Sequence, residues 1–197
     1  MMFRLGLTGS IGMGKSTTAQ MFVDEGCALW DADAAVHRLY SKGGAAVAPL
    51  GAVYPDAVRG DAICRDALRH IVSSETGALK TVEGIVHPLV VEDRRAFLAK
   101  TTADIVVLDI PLLFETGGET DMDAVACVFV SPEIQEKRVL ERGTMTQAQF
   151  QNIRENQMPN DEKCARADFV IVTDTIEHTL AQVQDILRMI RERMCDA

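Results

Sequence analysis

Five short apolar runs punctuate the chain, each ending where polar or turn residues resume: Phe3–Thr8, Cys27–Trp30, ADIVVLDIPLLF from Ala103, AVACVFVS from Ala124, and DFVIVTD from Asp168 to Asp174. The third and fourth are nearly continuous rather than alternating, which is the pattern of strands buried on both faces. Helical patterns separate several of the runs. Lys15 to Glu25 places Ala19, Met21, Phe22 and Val23 at mostly helical spacing, and Pro132 to Arg142 and Ile176 to Met194 read the same way. Strands alternating with helices predict an α/β fold, a five-stranded parallel sheet with helices on both faces in three layers.

Two stretches do not fit that sheet. From Tyr40 to Lys100 the pattern is helical and irregular, with no strong strand candidate, which predicts a mainly helical insertion between the second and third core strands. From Arg142 to Ala167 the chain is polar, rich in Gln, Asn, Arg and Glu, and Pro159 must break or bound a helix there. An exposed helical lid is expected. The resulting division is a core of residues 1–40, 101–141 and 166–197, an insertion of 41–100, and a lid of 142–165.

Composition narrows the function classes. The chain has 197 residues, enough for a full core, and its formal charge of -9 speaks against a broad electrostatic grip on nucleic acid. A local cluster of donors for a small anion remains compatible with that balance. Cys27, Cys64, Cys127, Cys164 and Cys195 are odd in number, widely spaced and free of any CxxC pair, so reduced and mostly packed thiols are expected rather than a disulfide framework or a zinc site. No apolar run approaches the roughly 20 residues that span a bilayer, and the N-terminus lacks the form of a signal peptide. The expectation is a cytoplasmic protein with no nucleic-acid, membrane or obligate protein partner.

Chemistry concentrates after the first run. Gly9-Ser10-Ile11-Gly12-Met13-Gly14-Lys15-Ser16 matches GxxxxGK[ST] between a strand and a helix, the setting in which backbone N–H groups cradle phosphates at a helix N-terminus. Lys15 would reach the β- and γ-phosphates, Ser16 would give a hydroxyl to Mg2+, and Thr17 would bond a more proximal phosphate. No NKxD-like guanine motif is present, which favours a kinase or ATPase over a switch GTPase. Asp31 and Asp33 stand where the second strand ends, the edge at which ligands of open α/β sheets gather. One of them can accept a substrate hydroxyl proton, and one can cap the following helix. Asp109 holds a position suited either to Mg2+ and its waters or to a hydrogen bond with the glycine loop. Arg138 and Arg142, four residues apart, share a helix face that either closes over phosphates or is simply solvated.

The motifs LTGSIGMGKST, DAD at Asp31–Asp33, RDALRHIV at Arg65–Val72, IVHPLV at Ile85–Val90, LDIPLLFE at Leu108–Glu115, VSPEIQEKRVLER at Val130–Arg142 and ARADFVI at Ala165–Ile171 together resemble the dephospho-coenzyme A kinase family, along nearly the whole chain. That resemblance implies transfer of the γ-phosphate of ATP, with Mg2+, to the ribose 3′-hydroxyl of dephospho-CoA, the last step of coenzyme A synthesis. It implies a nucleotide-binding core, a substrate-binding insertion and a lid. By the same resemblance Gly12, Met13, Gly14, Lys15, Ser16 and Thr17 would bind ATP, Asp33 would be the catalytic base and Arg142 would contact the nucleotide from the lid; the motif and helix spacing themselves add Gly9 and Arg138 to the ATP-binding set and Lys15 and Arg142 to catalysis. Asp31 and Asp33 fall on the substrate side, and the resemblance makes His87 and Pro88 a substrate-side or hinge-supporting element, although a His before Pro is equally a helix terminus. The chain departs from the family pattern at Ser10, Met13, Ser73 and Thr173–Asp174. Two rival readings are a P-loop kinase for a nucleoside or nucleotide, against which the HP insertion counts, and a regulator without turnover, against which Lys15, Ser16, Asp33 and Arg142 count together.

Overall fold

The computed structural model describes residues 2–196, so the outermost residues of the expected core, Met1 and Ala197, lie outside the described residues. The chain opens with strand β1 (Phe3–Thr8), the glycine loop, helix α1 (Lys15–Asp24) and strand β2 (Ala28–Asp31). Helices α2 (Ala32–Tyr40) and α3 (Val47–Val53), a short hairpin of β3 (Val58–Arg59) and β4 (Ala62–Ile63), and helices α4 (Arg65–Ser74) and α5 (Ala78–Lys100) follow. The chain then returns through β5 (Ile105–Asp109), β6 (Ala124–Phe129), α6 (Pro132–Glu141), α7 (Gln147–Asn156), α8 (Asn160–Arg166), β7 (Phe169–Val172) and α9 (Ile176–Cys195). Two compact units result, Met1–Trp30 with Thr102–Ala197, and Asp31–Thr101.

In the first unit the expected five strands form one sheet in the order β2-β5-β1-β6-β7, with β1 parallel to both β5 and β6, and β6 parallel to β7. Alternation along β6 assigns its faces. Ala124, Ala126 and Val128 join the core that α1 and α9 cover with Phe22, Val183, Ile186, Leu187 and Ile190. Val125 points the other way, to Leu113 and Phe114. On α9 the buried positions Thr179, Val183, Ile186, Leu187 and Ile190 recur at three- and four-residue steps, one apolar stripe laid on the sheet. Each such fully buried aliphatic side chain contributes about 1.5–3 kcal/mol. Gly6 is small for a packing reason, since a Cβ there would lie 2.8 Å from Leu113 Cδ2.

The second unit has its own core, built from Leu39, Leu50, Ala57, Ile63, Leu68, Val82 and Val86. Because Leu39 packs into it, α2 belongs to this unit, and the unit begins ten residues before the expected boundary at residue 41. The reading of this stretch as lacking strands is corrected by β3 and β4, which pair antiparallel around Gly60 and Asp61. Both turn residues are left-handed, at φ 56° and 63°, the geometry that a two-residue hairpin loop demands. The helix-terminus reading of His87-Pro88 is also corrected, because Pro88 lies inside α5. Buried Val82 and Val86 anchor the turns that precede it, so packing outweighs the local cost of proline.

Candidate active site

The loop after β1 is shaped by left-handed glycines. Gly12 and Gly14 have φ 78° and 90°, and a Cβ on Gly14 would lie 2.9 Å from Thr173 Oγ1. Gly14 is the N-cap of α1, with no side chain satisfying the first-turn N–H groups and no acidic residue in that turn. The positive end of the helix is therefore open to an anion.

Lys15 extends from this turn to Asp109 at the end of β5, with 2.5 Å between Nζ and Oδ1. The carboxylate is almost fully buried, with its side chain 3% exposed against 16% for the lysine. Of the two readings of Asp109, the structure shows the hydrogen bond with the glycine loop: a buried strand-end acid bonded to the loop lysine. Ser16 and Thr17 are exposed on the first turn of α1. Among the described residues no group of three His, Cys, Asp or Glu side chains forms a metal cage. The residues at hand, one buried carboxylate and one hydroxyl beside the open N-terminus of α1, are donors of the kind Mg2+ takes, an ion that keeps waters and shares its shell with phosphates.

Thr173 is the hub that sequence reading passed over as a mere departure. Its hydroxyl donates to Met13 O at 2.7 Å, while Arg138 donates to Thr173 Oγ1 at 3.1 Å and to Thr173 O at 2.6 Å. Met13 is buried and its sulfur accepts from Val130 N at 3.3 Å, so its side chain anchors the loop in the core. A cavity of about 300 Å³ opens beside the loop, lined by Gly14, Thr17, Arg138, Arg142, Thr173 and Ile176 among others. Arg138 is thus half-buried and spent on the backbone of β7's end, whereas Arg142, the C-cap of α6, is exposed at the cavity. Asp174 also lines it. The hydrogen bond from His178 and the Thr175 N–H hold its carboxyl below the usual carboxylate range.

Two further side chains fix the loop and were not anticipated. Gln135 donates to Ile11 O at 2.7 Å, and Asn160 accepts from Ser10 N at 2.9 Å while donating to Val128 O at 3.1 Å. Gln135 carried no sequence signal, although it shares a helix face with Val139, buried four positions on. Asn160 carried none beyond following Pro159. Glu115, part of a quoted motif but given no role, pairs at 2.8 Å with Lys163, whose side chain is fully buried and also donates to Pro111 O.

The remaining candidates belong to the second unit. Asp31 is the N-cap of α2, accepting from Ala34 N at 2.8 Å. Asp33 is exposed in the first turn of α2, and His87 and Pro88 are exposed on α5.

Comparison with known proteins places these features in a wider set. Residues 3–178 match the family model described as dephospho-CoA kinase. A protein of Ruegeria pomeroyi named dephospho-CoA kinase is 72% identical over 191 residues, 97% of each chain. Among solved structures, a Thermus thermophilus protein superposes with a TM-score of 0.87 at 31% identity, covering 95% of this chain and 97% of its own. A dephospho-CoA kinase from Campylobacter jejuni shares the fold, with a TM-score of 0.71 at 24% identity over 96% of this chain and 98% of its own. Among the described residues no helix is long and apolar enough to cross a membrane.

Proposed function

Because the chain belongs to the dephospho-CoA kinase family, we propose that it transfers the γ-phosphoryl group of ATP to the ribose 3′-hydroxyl of dephospho-CoA, releasing CoA and ADP. The observation that carries the phosphoryl-transfer half is the open, left-handed Gly14 cap followed by a lysine already held in line by Asp109. The adenosine end of ATP occupies the cavity edged by Thr173 and Ile176, and its phosphates follow the first turn of α1. Lys15 leaves Asp109 for the β- and γ-phosphates, where its charge counters that which shifts during transfer. Ser16 and Asp109 are the residues that would hold Mg2+, which would neutralise phosphate charge. Arg138, fixed by Thr173, keeps α6 in place so that Arg142 reaches the nucleotide as the segment 142–165 closes and excludes water.

Asp33 accepts the proton of the attacking hydroxyl, and Asp31 does the structural work of capping α2. This division is testable because asparagine caps helices as well as aspartate. Asp31→Asn keeps both the melting temperature and kcat near wild type. Asp33→Asn lowers kcat by about 100-fold or more with KM for dephospho-CoA nearly unchanged, as for a group used mainly in the transition state. Steady-state kinetics of the two variants check this, and the reverse pattern would move the base to Asp31.

A further inference from the structure

The expectation of scattered packed thiols meets an exception in the first unit. Cys127 on β6 and Cys164 on α8 bring their sulfurs to 3.5 Å, both unoxidised. Cys127 is fully buried and Cys164 partly exposed. Asn160, one turn before Cys164 on α8, lies against both: its Nδ2 is 3.6 Å from Cys164 Sγ and its Oδ1 is 4.0 Å from Cys127 Sγ. The same Oδ1 accepts the Ser10 N–H of the phosphate loop. One amide thus touches the thiol pair and holds the loop.

We propose that Cys127 and Cys164 are a peroxide-oxidised pair, Cys164 the attacking sulfur and Cys127 the resolving one, whose disulfide weakens ATP binding by pulling Asn160 off the phosphate loop. Accessibility assigns the roles, since only Cys164 meets solvent. The contact agrees: hydrogen bonding between the two sulfurs holds the Cys164 thiol below its ordinary pKa, while the same contact and burial push Cys127 up. In the first step the Cys164 thiolate attacks hydrogen peroxide, forming a sulfenic acid and releasing hydroxide. In the second the Cys127 sulfur attacks that sulfenic sulfur, its hydroxyl leaves, and the Cys127 proton completes a water. Two thiols have then become a disulfide while peroxide has been reduced to two waters.

The sulfurs must close from 3.5 Å to about 2.05 Å. Strand β6 is paired on both sides and buried along Ala124–Val128, so the displacement falls on α8, which starts at Asn160. A shift of that order breaks the 2.9 Å bond from Ser10 N. Losing one such bond weakens ATP binding about five-fold.

The test treats the full chain with equimolar hydrogen peroxide, maps peptides by mass without reduction, and measures the Kd for Mg-ATP by calorimetry before oxidation, after it, and after dithiothreitol. A linked Cys127–Cys164 peptide two hydrogens lighter is expected before Cys64 or exposed Cys195 reacts, with the Kd raised about five-fold and restored by reductant. Cys164→Ser binds ATP like the reduced protein and ignores peroxide. Cys127→Ser, or Cys127→Ala should the first fold poorly, stops at a dimedone-trapped sulfenic acid on Cys164. Trapping first on Cys195, absence of the linked peptide, or a linked peptide with unchanged Kd would each overturn the proposal. The mass readout is independent of the kinase reading, so the two can fail separately.

Discussion

Gly14 and Gly26 have nearly the same φ, 90° and 92°, in different surroundings. Nothing lies within 4 Å of a Cβ on Gly26, whereas one on Gly14 meets Thr173 Oγ1 at 2.9 Å. Gly26→Ala therefore carries left-handed strain alone, about 1–2 kcal/mol, and lowers the melting temperature by a few degrees with turnover intact. Gly14→Ala adds a clash with the side chain that positions Met13 and Arg138, so ATP affinity falls at least ten-fold as well. Paired melting curves and ATP titrations check the contrast. Equal effects on affinity would show that Thr173 does not shape the site. Gly14 and Lys15 were legible because their motif is a contiguous string whose spacing is itself the mechanism. Thr173, Gln135 and Asn160 were not, because each reaches the loop from more than a hundred residues away in the chain. Their residue types are ordinary, and only tertiary contact gives them a role.

Among the elements, α8 carries an asymmetric charge pair. The Lys163 side chain is 0% exposed, while that of Glu115 is 21% exposed and also accepts from Met158 N. Removing the acid strands a buried ammonium, whereas removing the lysine leaves a carboxylate that still reaches water. Glu115→Ala should cost about 3–5 kcal/mol and Lys163→Met distinctly less. Urea denaturation of both variants measures the difference, and a costlier Lys163→Met would contradict this account. Strands β5 and β6 were legible because burial on both faces leaves an uninterrupted apolar signature, and the half-buried β2 and β7 because short apolar runs end there at polar or turn residues. The hairpin of β3 and β4 was not, since strands of two residues are too short to carry a periodicity. Pro88 misled for the opposite reason: a strong local rule yielded to the packing of a 23-residue helix.

At the scale of the molecule, two units with separate cores share one chain carrying a formal charge of -9. The proposed ATP residues Gly9 to Thr17, Arg138, Arg142 and Thr173 all belong to the first unit. ATP at a hundred times its Kd should then stabilise the folded state by about 2.7 kcal/mol, raising the melting temperature by roughly 5–10 °C. Calorimetry with and without a non-hydrolysable ATP analogue checks this. An unchanged melting temperature would remove the phosphate-cradle assignment. The central claim is the identity of the acceptor, and it is tested most directly by ADP release from Mg-ATP with dephospho-CoA beside adenosine, AMP and CMP, with each product weighed for one added phosphate. We predict that dephospho-CoA alone gains the phosphate; turnover of another acceptor with dephospho-CoA left unmodified would contradict it.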